Sequence, residues 1–165
     1  MEEILRLKER GNTLFLKAAI FFMGIVVLAL CIFWLPWAAN DLAVKNVEFA
    51  YLKYPLLIGI EITLIPYLFA LYHGFKLLVY IDKNSAFSNN SVKSLTFIKY
   101  CSAIISAWYV IGFFFVISQD AGNPGVLLIA LVIIFACFVV SVFAAVLQKL
   151  LKNAIAIQEE NDLTV

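Results

Sequence analysis

Glu61 and His73 are the residues of this sequence whose chemistry is least expected where they lie. Both fall in the stretch PLLIGIEITLIPYLFALYHGFKLL, Pro55 to Leu78, which is otherwise almost wholly apolar. If this stretch crosses a bilayer, each group needs a partner, because burying an ionisable side chain in hydrocarbon is costly. At about 1.5 Å per residue they lie about 18 Å apart along one helix. Glu61 and His73 therefore cannot be hydrogen-bond or ion-pair partners of one another.

Two interpretations of this pair stay open. An intramembrane acid and an imidazole are typical of a small transporter or resistance factor with a polar path. The structural interpretation is a protonated Glu61 bonded to a neighbour such as Tyr109, which would only specify packing. Pro66 predicts a kink. A stripe seven residues apart, with Glu61 on the same half of the helix, predicts that this half faces the other helices; the stripe is Gly59, Pro66, His73 and Tyr80.

The composition indicates an integral membrane protein. Of 165 residues, 64% are apolar and 14% are charged, and the mean hydropathy is +0.99. These values exceed the apolar share of an ordinary soluble domain. The formal charge of +1 gives no basic excess for direct nucleic-acid binding. The lipid bilayer is therefore the first predicted partner.

Four apolar runs are long enough to cross a hydrocarbon core about 30 Å thick. They predict spans near residues 14–35, 55–81, 97–118 and 126–147, in one domain covering residues 1–165. After the first span, a stripe at helical spacing predicts a short amphipathic helix on the outer surface; its residues are Ala43, Val47, Ala50, Tyr51 and Tyr54. The fold class is all-α and polytopic.

The distribution of basic residues predicts the orientation. Ten of the twelve Lys and Arg lie at or before the start of the first span, around the connection of spans two and three, or after span four. Only Lys45 and Lys53 lie on the other side. Because basic residues concentrate in cytoplasmic loops, both termini are predicted to be cytoplasmic and the protein to lie in the bacterial plasma membrane. Lys17 and Lys76 are interpreted as snorkelling to the headgroups.

No set of residues favours an enzyme. The chain has a single His and lacks the HExxH and GxSxG patterns, so no nucleophile, base and orienting group can be assembled. Its three Cys lie in separate apolar runs without paired spacing. We therefore predict a non-enzymatic protein with no cofactor and no metal.

Two segments predicted to be cytoplasmic are candidates for partner binding. In the connection after span two, Ser88 predicts a helix N-cap and Phe87 a hydrophobic staple on Val92. After span four, residues 148–165 predict an amphipathic helical extension that ends in an acidic tail. The tail acids lie where a helix C-terminus and an anionic leaflet both disfavour them. A solvated, disordered end and a docking peptide stay open; the tail comprises Glu159, Glu160, Asn161, Asp162, Leu163, Thr164 and Val165.

These same segments carry a resemblance to a known family. AFSNNSVKSL, Ala86 to Leu95, and QEENDLTV, Gln158 to Val165, resemble the signature stretches of domain of unknown function 2975, a family of small bacterial four-span proteins. The chain departs from the family pattern at Asn84, Ser85 and Asn90. Genes of this family often neighbour those of small helix-turn-helix regulators. The resemblance implies a membrane protein that holds or modulates a DNA-binding partner.

Two classes of function follow. The first is a regulatory or scaffolding protein that docks a cytoplasmic partner, such as a small helix-turn-helix regulator, through the turn and the tail. The second is the transporter with its path near Glu61 and His73. The first needs the tail and tolerates Glu61→Gln, whereas the second needs the intramembrane groups. Homo-oligomerisation is open.

Overall fold

The computed structural model describes residues 1–164, and helices account for nearly all of them. The α-helices are α1 (Glu2–Ala29), α2 (Leu35–Lys45), α3 (Lys53–Ile62), α4 (Leu64–Asp82), α5 (Asn89–Ser118) and α6 (Pro124–Leu163). Four helical stretches are long and apolar enough to cross a membrane: Glu2–Lys45, Val47–Asp82, Asn89–Ser118 and Pro124–Leu163. The four predicted spans lie within them. The prediction of an all-α protein with four membrane-spanning helices is confirmed.

The first spanning helix runs further than the sequence predicts. A π-helical turn, Leu30–Trp34, joins α1 directly to α2, and Pro36 lies in the first turn of α2, where a missing N–H is tolerated. The helix therefore continues to Lys45 instead of ending near Leu35. The predicted separate outer helix is wrong, because its stripe is divided between α2, a 3₁₀ helix at Val47–Leu52 and the start of α3.

The second spanning helix is interrupted at Thr63, between α3 and α4. Pro66 lacks the N–H that would bond the carbonyl of Ile62, four residues earlier. The Thr63 hydroxyl donates to the carbonyl of Ile60 at 2.6 Å. The kink predicted from Pro66 is thus present as a break in the helix three residues before it.

Side-chain caps start the last two helices. The Ser88 hydroxyl accepts from the Ser91 N–H at 3.4 Å, which confirms the predicted N-cap of α5. At α6 the Asn123 side chain accepts from the Gly125 N–H at 2.9 Å, and Pro124 occupies the first turn. The short turn between α5 and α6 makes these helices antiparallel neighbours.

The spanning helices are arranged as a row. α1 packs on α4, α4 packs on α5, and α5 packs on α6, whereas α1 and α6 share no extensive contact within residues 1–164. α5 lies inside this helix row and contains most of the buried core, including Val92, Leu95, Cys101 and Ile105. α1 and α6 are the outer helices, each with one side free of extensive packing against another helix.

Two helices protrude at the same end of the row, which we call the basic end. It comprises the start of α1, the end of α4, the start of α5 and the end of α6. Gly24 of α1 lies against Leu71 of α4. Because the two helices are antiparallel, Thr13, eleven residues before Gly24, is level with Asp82, eleven residues after Leu71. Residues 2–12 of α1 extend beyond that level by about 16 Å.

The end of α6 protrudes in the same way. Ser141 donates to the carbonyl of Lys99 at 3.1 Å, and this register brings Asn89, the first residue of α5, level with Leu151. Residues 153–163, which we call the tail helix, extend beyond the start of α5 by about 16 Å.

Candidate functional site

An ion pair joins α1 to α4 at the basic end. The Lys17 ammonium donates to the Asp82 carboxylate, and both side chains are partly exposed. They line an open groove of about 450 Å³ with Arg10, Leu14 and Lys83. Lys17 was predicted only to snorkel, so the structure adds a partner that sequence reasoning missed. The signal was available, since Asp82 is the only carboxylate between Glu61 and Asp120.

A polar network fixes α6 against α5 where α6 leaves the helix row. The Lys99 ammonium donates to Gln148 Oε1 at 3.0 Å, and the Gln148 amide donates to the Thr96 hydroxyl. Gln148 is only 8% exposed. Because the oxygen and the nitrogen of this buried amide both have hydrogen-bond partners, α6 can take only a narrow range of positions against α5. The network therefore sets the direction in which the tail helix projects.

Sequence reasoning missed Gln148 as well. Ser141 lies on the side of α6 that packs on α5, where its hydroxyl donates to the Lys99 carbonyl. Gln148 follows seven residues later on the same side, so the helical period contained the signal. Ser106 on α5 donates to the carbonyl of Ile134 on α6 at 3.4 Å.

The turn before α5 presents less surface to a partner than predicted. Val92 is 8% exposed, and Ser88 is engaged in capping. Phe87 is 63% exposed, which leaves little of its ring for the predicted staple. Ser91 is fully buried, with its hydroxyl 3.4 Å from the Ser85 carbonyl. Of the three predicted turn residues, Phe87 alone remains broadly accessible.

The acidic tail is helical to Leu163. Glu159 to Thr164 are all exposed, and Leu163 is 87% exposed. The Thr164 hydroxyl donates to the Asn161 carbonyl at 3.0 Å. Of the two alternatives left open for this end, the docking peptide fits the helical form better, because the helix of α6 continues through the acids to Leu163. Val165 lies outside the described residues.

Helical periodicity divides the tail acids between two sides. Ala156, Ile157, Glu160 and Leu163 share one side of the tail helix at 100° per residue. Ile157 is 60% exposed. Glu159 and Asp162 lie on the side that, further down α6, carries Gln148 and faces α5. The exposed apolar side of the tail helix thus contains Glu160, and Glu159, four residues before Leu163, lies at its edge.

The structure separates Glu61 from His73. His73 is 7% exposed and stacks on Phe97 with ring centroids 4.4 Å apart, while Phe69 contacts it edge-on at 4.8 Å. Its two ring nitrogens have no hydrogen-bond partner among residues 1–164. Of the predicted stripe, His73 is buried, whereas Gly59, Pro66 and Tyr80 are half-buried.

Glu61 does not face the other helices as predicted. It is exposed, and within residues 1–164 no hydrogen bond joins it to Tyr109. Trp108 Nε1 donates to the carbonyl of Gly59, two residues before Glu61, and Trp108 lies about midway along the apolar part of α5, residues 97–118. Glu61 therefore lies level with the middle of that part, with its side chain exposed on the surface of the helix row.

This position gives a prediction for Glu61. Glu61→Gln should change the free energy of unfolding in detergent by no more than about 0.5 kcal/mol, because the substitution is on an exposed surface. Denaturant-induced unfolding followed by circular dichroism measures this. A loss above about 2 kcal/mol would instead indicate a buried, paired carboxylate.

Comparison with known proteins identifies the family. Residues 37–165 match the family described as "Protein of unknown function (DUF2975)". An uncharacterized membrane protein, YoaS of Bacillus subtilis (strain 168), is 53% identical over 158 residues, which cover 94% of this chain and 99% of that protein. No solved structure matches. The chain therefore belongs to the DUF2975 family of membrane proteins.

Proposed function

We propose that this protein is a non-enzymatic anchor in the bacterial plasma membrane that docks a soluble cytoplasmic protein on its tail helix. The observation that carries the proposal is the protruding end of α6, where a helix displays exposed apolar side chains among acids. Exposed apolar surface beyond the membrane is typical of an interaction site.

The helical form of the tail defines the mode of recognition. The side formed by Ala156, Ile157, Glu160 and Leu163 has the i, i+1, i+4, i+7 spacing with which an amphipathic helix enters a groove. The helix is already formed, so docking avoids much of the ordering cost that a disordered peptide would incur. The apolar side chains supply contact area and Glu160 supplies a charge-assisted contact.

The acids are better explained by a partner than by the helix itself. Anions near a helix C-terminus oppose the helix dipole, and the positions three and four residues from Glu159, Glu160 and Asp162 contain no Lys or Arg. The two ion pairs within residues 1–164 lie elsewhere. A groove rimmed with Lys or Arg on the partner would complement these charges and speed the encounter.

The distribution of basic residues supports a cytoplasmic partner. The basic end carries ten of the twelve Lys and Arg, and the positive-inside rule favours a cytoplasmic tail helix. The family resemblance makes a small helix-turn-helix regulator the partner that we propose. Holding such a protein at the membrane would change the amount available to bind DNA.

The transport hypothesis receives less support. A polar path would need Glu61 and His73 to line one route, but Glu61 is exposed on the surface of the helix row and His73 is enclosed by aromatic rings nearer the basic end. The docking proposal does not use either residue.

Three substitutions in the full chain test which side of the tail helix docks. Leu163→Ala and Glu160→Lys should each weaken binding of the regulator about tenfold, because they remove contact area or reverse a charge within the interface. Asp162→Lys is the matched control, because it is the same kind of charge reversal on the other side. It should weaken binding less than about threefold, through lost steering alone. Biolayer interferometry on detergent-solubilised protein measures this.

The order of these effects decides the outcome. If Asp162→Lys weakens binding as much as Glu160→Lys, the tail attracts its partner by net charge and the proposed docking side is wrong.

A further inference from the structure

α1 has a second apolar stripe, which lies away from the contact with α4 except at Leu14, a lining residue of the groove beside Lys17 and Asp82. The side that packs on α4 contains Thr13, Ile20 and Gly24. The other stripe alternates spacings of three and four residues over three heptads, and every member is exposed; it comprises Ile4, Leu7, Gly11, Leu14, Ala18, Phe21 and Ile25. We call it the outer stripe. A repeat averaging 3.5 residues is the pattern of a coiled-coil seam.

Lipid covers only part of the outer stripe. Phe21 and Ile25 lie within the spanning part of α1, where hydrocarbon contacts them. Ile4 and Leu7 lie in the protruding residues 2–12, beyond the level of Asp82. α1 is one uninterrupted helix from Glu2 to Ala29, so this part continues along the helix axis and away from the bilayer. Two large apolar side chains of the stripe therefore need a partner other than lipid.

The charges beside the outer stripe fit a second copy of the same chain. With Ile4 and Leu7 at the a and d positions, Glu3 is a g position and Lys8 the following e position. In a parallel pair of helices, g of one chain faces the next e of the other, so Glu3 meets Lys8 of the second copy. Neither residue forms an ion pair within residues 1–164 of its own chain. Membrane insertion makes two copies of α1 parallel.

Small residues in the stripe allow close approach. Gly11 and Ala18 are seven residues apart at a positions, and a Cβ at Gly11 would have no neighbour within 4 Å in the same chain. We propose that the protein forms a parallel homodimer through the outer stripe of α1, with paired Glu3 and Lys8 at its basic end. The two helix rows then join through α1. Both tail helices lie at the basic end, one at each outer edge of the dimer.

Site-directed disulfide formation in membranes tests this dimer. Cys31, Cys101 and Cys137 are first replaced with Ala, and single cysteines are then introduced as Leu7→Cys, Leu14→Cys or Glu9→Cys. Mild oxidation should convert the first two to a species of twice the 18.5 kDa chain mass. Glu9→Cys, on the opposite side of the helix, should remain monomeric. Equal cross-linking at Glu9 and Leu7, or none at Leu7, would overturn the proposal.

Charge exchange gives an independent test. Glu3→Lys or Lys8→Glu alone should weaken the dimer about fivefold, because each replaces two attractive pairs with repulsive ones, and the double variant should restore it. Leu7→Glu should abolish the dimer, whereas Leu5→Glu, an exposed leucine off the stripe, should not. The monomer–dimer equilibrium is measured by analytical ultracentrifugation in detergent. A double variant as weak as the single ones, or equal effects at Leu5 and Leu7, would contradict the pairing.

Discussion

Replacing Gly24 with Leu should lower the free energy of unfolding by about 2–3 kcal/mol, the cost of overpacking a tight helix contact. A Cβ at Gly24 would already lie 3.3 Å from Leu71 Cδ1, and the further carbons of Leu have no room between α1 and α4. Because α1 packs extensively on no other spanning helix within residues 1–164, this contact determines whether α1 stays docked.

Gly112→Leu is the matched control. A Cβ at Gly112 would meet nothing within 4 Å, and Gly112 also lies within a spanning helix. Both substitutions gain about 0.8 kcal/mol of helix propensity, so their difference isolates packing. Denaturant titration of the two purified variants gives this difference. Equal stabilities would mean that α1 is not held against α4 at Gly24.

The sequence predicts well those features that depend on one segment. Apolar run length located four spanning helices, and Ser88 located the start of α5, because a cap depends on neighbours in the chain. Pro66 predicted the break in the second spanning helix for the same reason. Pro66 did not predict that the break lies three residues earlier, at Thr63.

Features that depend on contacts between helices were beyond the sequence. Apolar runs alone cannot reveal the order in which helices pack, so the row from α1 to α6 was not predicted. Glu61 was predicted to face the other helices because it shares one half of a continuous helix with His73. The helix is interrupted at Thr63, between these two residues, so side-chain directions counted along one straight helix do not carry from His73 to Glu61.

The candidate site was predicted in location but not in form. The tail residues are exposed at the end of α6 as expected. Their helical conformation was missed because acids near a C-terminus argue against a helix locally. α6 is anchored upstream by Gln148 and Ser141, and a helix so anchored extends at little nucleation cost.

Membrane vesicles of defined orientation test the docking account most directly. Inverted vesicles expose the cytoplasmic side, so those containing the full chain should capture the small helix-turn-helix regulator that we propose as the partner. Right-side-out vesicles should not. Inverted vesicles containing a chain that ends at Glu159 should lose at least about nine-tenths of the capture, because Glu160 and Leu163 are removed.

The shortened chain keeps Gln148 and Ser141, so its membrane insertion should be unchanged, and its amount per vesicle is measured by immunoblot as the control. The account predicts that capture needs both the inverted orientation and the tail helix. Equal capture by the full and shortened chains, or capture by right-side-out vesicles, would contradict it.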